Sequence, residues 1–235
     1  MQARISAGLA QLGLTPPPQA AAQLARYGQL LLEQNQVMNL TAITDPDQVV
    51  DLHFLDCAAL LTIGEDFHKK NLIDVGTGAG FPGLPLKILE PSLTVTLLDS
   101  LGKRVNWLSS VCEALSLDKV ACLHARAEEQ ALEAGFRDSF DFAVSRAVAS
   151  LELLSELCLP YVKVGGKFLA MKSVDSGAET EGAARAIAKL GGRLLPRMDY
   201  TIPGTEIVHR VVVEKISPTP KGFPRRWAKM QKAPL

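Results

Sequence analysis

The densest chemical signal in the chain is the run Asp74-Val75-Gly76-Thr77-Gly78-Ala79-Gly80-Phe81-Pro82-Gly83. Glycines alternate at 76, 78 and 80. Glycine reaches positive φ without steric cost and lets a ligand approach the main chain closely. A phosphate-gripping Walker loop is excluded, because no Gly-Lys-Ser/Thr follows. The dinucleotide fingerprint G-x-G-x-x-G fits at Gly76 and Gly78 but meets Phe81 where its third glycine belongs. The loop reads instead as D-x-G-x-G-x-G. A second signal stands 23 residues after Gly76, where Asp99 closes the apolar run Leu97-Leu98. A carboxylate at a strand end can accept hydrogen bonds from both ribose hydroxyls of an adenosine. Loop and acid together point to an adenosine-bearing cofactor, and their spacing suits NAD and S-adenosylmethionine alike.

Other reactive side chains are fewer. Arg146 ends the apolar run Phe140–Ser145. A guanidinium at that edge suits a carboxylate such as that of a methionine moiety; the competing reading is a salt bridge to Asp74 or Glu128. Asp74 has two open readings, a contact to the methionine ammonium (direct or through water) or a cap on the loop's N–H groups. The cysteines are Cys57, Cys112, Cys122 and Cys158, with no C-x-x-C pair, so no zinc site is expected. Cys158 on an apolar helix face and Cys122 in a strand read as core residues. His53 has no metal-ligating partner at usable spacing and reads as a structural histidine, and His68, His124 and His209 are isolated.

These residues need elements to position them. Residues 1–66 read as a helical extension. Thr15 before Pro16–Pro18 marks one helix start, and Leu24, Tyr27, Leu30 and Leu31 recur at helical spacing. Asp45-Pro46-Asp47-Gln48 marks another, with a capping Asp and Pro just inside. Asn39–Ile43 is too polar and broken to extend either helix. From residue 71 short apolar runs read as strands: Asn71–Val75, Thr94–Leu98, Val120–Leu123, Phe140–Val144, Phe168–Met171 and Val211–Val213. Helical stretches Leu84–Leu89, Arg104–Leu115, Leu151–Val162 and Ala178–Leu190 alternate with them. That alternation predicts an α/β, Rossmann-like, doubly wound and mostly parallel sheet over residues 67–216. Arg193–Ile202 and His209–Ile216, joined at Pro203-Gly204, leave no room for a helix and should pair antiparallel. A parallel sheet ending in an antiparallel hairpin, with Phe81 in the loop, favours an S-adenosylmethionine-dependent methyltransferase over an NAD oxidoreductase.

Composition sets the outer limits. The chain has 235 residues, 47% hydrophobic and 21% charged, an ordinary globular balance. No apolar stretch approaches the ~20 residues that span a bilayer, and Met1–Ala10 lacks a signal-peptide layout, so a cytoplasmic, membrane-free protein with reduced thiols is expected, as a monomer. Formal net charge is zero but unevenly spread. Residues 1–70 carry four basic against seven acidic side chains, a balance of −3. Residues 217–235 carry Lys221, Arg225, Arg226, Lys229 and Lys232 and no acid, a balance of +5. With Phe223 and Trp227 interleaved, this tail predicts contact with RNA phosphates and bases through Arg225, Arg226, Lys229 and Lys232; a solvated, frayed terminus is the alternative.

Taken together, Asp74–Gly83 and Leu97-Leu98-Asp99-Ser100-Leu101-Gly102-Lys103-Arg104 resemble the bacterial small-subunit ribosomal RNA methyltransferase G family, also called glucose-inhibited division protein B. Asn39–Ile43, His53–Asp56, Ser145-Arg146-Ala147, Leu169–Lys172 and the tail from Pro224-Arg225-Arg226 to Pro234-Leu235 agree with it. The resemblance implies methyl transfer from S-adenosylmethionine to N7 of one guanine in 16S ribosomal RNA near the decoding centre, on naked RNA or on the small ribosomal subunit. By matching position it implies cofactor contacts at Gly76 and Phe81, at Asp99, Ser100 and Leu101, at Ala127 and Glu128, and at Arg146, which also could orient the guanine; Gly78 and Gly80 complete the loop. Two departures stand out. Ser173 follows Lys172 where the family has glycine, and Trp227-Ala228 replaces a glycine-containing spacing. Guanine N7 bears a lone pair and no proton, so no general base is required. The alternatives are a methyltransferase for a small molecule or protein, and a non-catalytic RNA-binding assembly protein.

Overall fold

A computed structural model of the chain describes residues 1–146, 148–172, 177–196, 198–202, 205 and 207–235. Helices α1 (Gln2–Gln11) and α2 (Ala20–Met38) form the N-terminal layer. α2 buries Leu24, Tyr27 and Leu31 on one stripe and ends at Asn39, a left-handed residue with φ 48°. The expected start at Asp45 is present: its carboxylate accepts the N–H groups of Asp47 and Gln48, opening α3 (Pro46–Val49). The chain then widens into a π-helical turn, Val50–Leu55, before α4 (Asp56–Ala58). Such widenings occur mostly as single turns at functional sites. Here the turn lies at the mouth of the glycine loop, with Val50, His53 and Phe54 buried and Leu52 exposed.

Alternation then begins: β1 (Asn71–Val75), α5 (Gly83–Leu89), β2 (Thr94–Asp99), α6 (Gly102–Ala114), β3 (Val120–His124), α7 (Ala127–Gln130), β4 (Phe140–Arg146), α8 (Leu151–Cys158), β5 (Val162–Lys172) and α9 (Gly177–Lys189). Three short strands follow, β6 (Gly192–Leu194), β7 (Met198–Thr201) and β8 (Ile207–Lys215), and the tail folds as α10 (Trp227–Lys232). The eight-stranded sheet runs β3-β2-β1-β4-β5-β8-β6, with β7 also on β8. β1 to β5 are parallel, and β8 lies antiparallel between β5 and the β6/β7 edge. The expected antiparallel pairing is therefore present, with its first arm split into β6 and β7. Pro196 stands in the break, where it has no N–H to offer a ladder. The Pro203-Gly204 turn lies outside the described residues, as do Ala147 and Ser173.

Side chains alternate between the two faces of the sheet, as period-2 strands require. Leu72, Leu97, Phe142, Val144 and Leu169 pack with α1, α2, α5 and α6. Their neighbours Ile73, Leu98, Ala143, Phe168 and Ala170 pack with α8, α9 and Met230 of α10. The N-terminal helices thus share one core with the sheet. One boundary differs from expectation. The helix expected over Leu151–Val162 stops at Cys158, and Leu159-Pro160-Tyr161 forms a 3₁₀ turn into an eleven-residue β5. Pro160 cannot donate to a continuing helix, and β-branched Val162 and Val164 suit a strand.

Among the described residues no helix is long and apolar enough to cross a membrane.

Candidate functional site: the glycine loop and the Arg146 cluster

β1 and β4 are neighbours, yet the chain leaves β1 towards β2 and β3 on one side and runs through β5 on the other. The crevice at the carboxyl ends of the strands beside such a reversal is where open α/β sheets bind ligands. The glycine loop and Asp99 both lie there. Gly76 and Thr77 donate their N–H groups to the Leu98 carbonyl, at 2.9 and 3.0 Å, which ties the loop to the end of β2. Gly76 has φ 72° and Gly80 φ 96°, left-handed conformations that suit glycine. A Cβ at Gly80 would stand 2.5 Å from the Tyr27 hydroxyl oxygen. That hydroxyl, fully buried on α2, donates to the Ala79 carbonyl and clamps the loop from outside the sheet.

The two aspartates divide the work. Asp74 is fully buried beneath the loop, where one carboxylate oxygen accepts the Thr77 hydroxyl at 2.7 Å and the Gly83 N–H at 2.8 Å. Its other oxygen has no hydrogen-bond partner among the described residues. Burial pushes its carboxyl up to about 7, against the pull of the Thr77 and Gly83 hydrogen bonds. Asp74 does not line the cavity, so this geometry is that of a cap on the loop. Asp99 does line it. Its oxygens accept the N–H groups of Gly78 and Leu101, each at 2.9 Å, and Arg104 stands 3.7 Å away. Each oxygen keeps acceptor capacity on its cavity side.

Arg146, at the end of β4, meets neither Asp74 nor Glu128. Its guanidinium donates to the Leu52 carbonyl at 3.1 Å and the Asp56 carboxylate at 3.3 Å, and lies 3.0 Å from His53 Nδ1. It also sits over the Phe81 ring, 4.8 Å from the centroid. Nδ1 of His53 thus faces a donor, the Arg146 guanidinium, and also an acceptor, the Leu52 carbonyl at 3.2 Å. Nε2 lies 2.9 Å from the Thr41 hydroxyl. Burial, reinforced by the Arg146 charge, lowers His53 to about 3. His53 is thus a neutral, satisfied histidine as expected, yet it also lines the cavity and stacks on Phe81 at 4.5 Å.

Two adjoining cavities result. One of about 510 Å³ is bounded by His53, Thr77, Phe81, Asp99, Leu101 and Arg146. The other, of about 310 Å³, is bounded by Asp99, Ala127, Glu128, Leu157 and Trp227. Gly76, Asp99, Ser100 and Val148 border both. Small-molecule sites fall in this range of about 300–1,000 Å³. Of the expected cofactor residues, Gly76, Gly78, Phe81, Asp99, Ser100, Leu101, Ala127, Glu128 and Arg146 converge on these walls, whereas Gly80 and Asp74 support the loop from behind. Glu128 is buried and holds Arg126 at 2.8 Å. Tyr27 and Leu52 join the site without a local signal, whereas Thr41 and Asp56 lie in the family-like segments and Trp227, read as an RNA-facing aromatic, borders the second cavity instead. The spacing of Tyr27 and Leu52 is ordinary, and only tertiary packing gives them roles.

The tail departs from expectation. Arg225 is turned inward and forms a two-pronged ion pair with Glu156, which is 1% exposed: Nε to Oε1 at 2.8 Å and Nη2 to Oε2 at 2.6 Å. Arg137 holds the Thr219 and Phe223 carbonyls, and buried Lys215 donates to Thr219 Oγ1 and Asp138. Phe223 and Trp227 pack against the apolar cluster around Met230. Arg225 is therefore taken by a buried carboxylate, and the aromatics face the fold; the segment is neither frayed nor an open stacking surface. Arg226, Lys229 and Lys232 remain exposed. Of the two carboxylates in the apolar helix Leu151–Cys158, Glu156 falls among its buried residues and is the sequence signal that a buried cation is needed.

The family model for rRNA small subunit methyltransferase G (GidB) matches residues 20–199. A ribosomal RNA small subunit methyltransferase G from Lachnoclostridium phytofermentans is 44% identical over 97% of this chain and 95% of its own. The chain belongs to the GidB family. A Clostridium perfringens relative of the same name is 47% identical over 89% of this chain and 88% of its own. Among solved structures, a SAM-dependent methyltransferase from Aquifex aeolicus overlays with a TM-score of 0.56 at 17% identity, over 76% of this chain and 97% of that one. By family and fold this GidB-family chain is an S-adenosylmethionine-dependent methyltransferase, and its glycine loop, Asp99 and Arg146 all fall within the matched segment.

Proposed function

We propose that the chain transfers a methyl group from S-adenosylmethionine to N7 of a guanine in 16S ribosomal RNA, in the cytoplasm. The residues present fit the cofactor. The backbone of Gly76 and Gly78 borders the cavity, with open space at Gly78, Asp99 offers ribose-compatible acceptors, and Ala127, Glu128 and Leu157 bound a slot for the base. Phe81, Ser100 and Leu101 complete the walls, and Arg146 suits the amino-acid carboxylate. When bound, S-adenosylmethionine supplies an electrophilic methyl on a sulfonium.

The observation that carries the N7 reading is the absence of a usable base on the described cavity wall. His53 is held neutral, with Nδ1 against Arg146 and the Leu52 carbonyl and Nε2 against the Thr41 hydroxyl. Asp99 is engaged by two N–H groups and turned to the ribose, and Glu128, on the wall of the second cavity, is held by Arg126. None of the cysteines borders either cavity, which removes the nucleophile that carbon methylation of a pyrimidine needs. The end of β4 reads Ser145-Arg146, without the Asp/Asn-Pro-Pro-Tyr element typical of amino-nitrogen methylation. What remains is positioning of a ring nitrogen that already has a free lone pair, and guanine N7 is one. Arg146, fixed by Leu52, Asp56 and Phe81, is rigid enough to orient the base. Arg226, Lys229 and Lys232 supply exposed charge for RNA phosphates. Mass spectrometry of 16S RNA from cells lacking this chain tests the reading: one N7-methylguanosine should disappear, and an unchanged modification profile refutes it.

A further inference from the structure

The C-terminal helix brings an aromatic side chain to the second cavity, and the packing shows this to be a held position. Met230, one turn after Trp227, is fully buried among α8 and α9 side chains. Arg225, two residues before Trp227, is locked to Glu156 and also donates to the Ala233 carbonyl at 2.9 Å, closing the far end of α10. Phe223 is held through its carbonyl by Arg137. Between these anchors Trp227 is half-buried and borders the same cavity as Asp99, Ala127 and Glu128. A flat, electron-rich indole on the wall of an apolar slot suits a purine face, because base–aromatic stacking asks only for a π surface.

We propose that Trp227 is the outer wall of the adenine slot, so that the C-terminal helix completes the cofactor pocket. The proposal rests on the reading of these cavities as the S-adenosylmethionine site. It assigns the inner face of α10 to the nucleoside and leaves Arg226, Lys229 and Lys232 on the outside for the RNA. A tail taken only for its charge would have no part in cofactor affinity; here its aromatic residue contributes directly.

The test is titration calorimetry with S-adenosylhomocysteine on the full chain and on the Trp227→Phe and Trp227→Leu variants. Leucine keeps apolar packing against the Leu157 side but removes the π face; phenylalanine keeps both. Trp227→Leu should bind at least about fivefold more weakly, and up to about a hundredfold, with Trp227→Phe within about threefold of the parent. 5′-Methylthioadenosine, which carries the adenosine but no amino acid, should lose the same factor. In a Trp107→Phe background, the emission of Trp227 should change on adding either ligand. This last readout would stay still if Trp227 merely held α10 in place. Equal affinity for the parent and Trp227→Leu, or unchanged Trp227 emission at saturation, overturns the proposal while leaving the cofactor site standing. Failure of the parent chain to bind S-adenosylhomocysteine at all overturns the cofactor reading and this inference together.

Discussion

Replacing Arg225 by alanine separates structure from RNA contact in the basic tail. Glu156 is 1% exposed, and its two oxygens receive three donors from Arg225: the main-chain N–H at 2.8 Å, Nε at 2.8 Å and Nη2 at 2.6 Å. Arg225→Ala removes the two side-chain donors and leaves a buried carboxylate with a single N–H. Breaking a buried pair on one side costs about 3–5 kcal/mol, chiefly because the surviving charge is uncompensated. At about 2–4 °C per kcal/mol for a chain of this size, the midpoint of thermal unfolding should fall by roughly 6–20 °C. Circular dichroism reads this directly. The cycle closes with Glu156→Leu/Arg225→Leu, which removes both charges and should recover most of the loss, since apolar replacement of a buried pair is often neutral or better. Arg226→Ala, one residue further on and exposed, should leave the midpoint within about 1 °C, as surface substitutions usually do. A midpoint for Arg225→Ala within about 2 °C of the parent refutes the reasoning and returns Arg225 to the RNA-facing surface.

Other expectations follow from the same geometry. Asp99→Asn keeps the shape but removes a charge that assists ribose hydrogen bonds, so S-adenosylhomocysteine should bind about ten- to a hundredfold more weakly by calorimetry, the equivalent of roughly 1.5–3 kcal/mol. Replacing Arg226, Lys229 and Lys232 together by alanine should flatten the dependence of log RNA affinity on log salt by roughly 2–2.7 if each meets a phosphate, with cofactor affinity unchanged; identical slopes would remove α10 from the RNA interface. The lowering of His53 to about 3 means the unfolded chain binds more protons than the folded one between about pH 3 and 6.5, so its contribution to stability is complete above pH 6.5 and is lost as pH falls towards 3. Asp74, raised to about 7, acts in the opposite sense: its contribution is complete below about pH 4 and is lost as pH rises through 7. Denaturant midpoints from pH 4 to 8 should therefore show a shallower acid loss in His53→Gln and a shallower loss above pH 4 in Asp74→Asn; unchanged profiles would contradict the two assignments.

The parts of this site that were legible in the sequence are those whose chemistry is local. An alternating glycine loop needs left-handed backbone whatever packs around it, and an acid at the end of a buried strand points out of the sheet by necessity. The capping role of Asp45 was legible for the same reason, since the groups that it satisfies lie within three residues. The rest depends on distant segments meeting. Arg146 finds Leu52, His53 and Asp56 about ninety residues away, because the π-helical turn lies across the end of β4. Tyr27 reaches Ala79 from a helix whose spacing announces only an amphipathic stripe. The tail misled most, because five cations without an acid in the same segment hide an acid contributed by α8. The end of α8 is not legible from periodicity, because the apolar run Leu157–Val162 has no period that separates helix from strand; Pro160 decides it.

The identity of the methylated atom is tested most directly with purified protein. The chain is incubated with methyl-labelled S-adenosylmethionine and either naked 16S RNA or small ribosomal subunits lacking the modification, and the RNA is digested to nucleosides and resolved by mass spectrometry. Label should appear in N7-methylguanosine at a single position, and Asp99→Asn should slow its appearance. Label in any other nucleoside, or none on either substrate while S-adenosylhomocysteine binds the protein, would contradict the account.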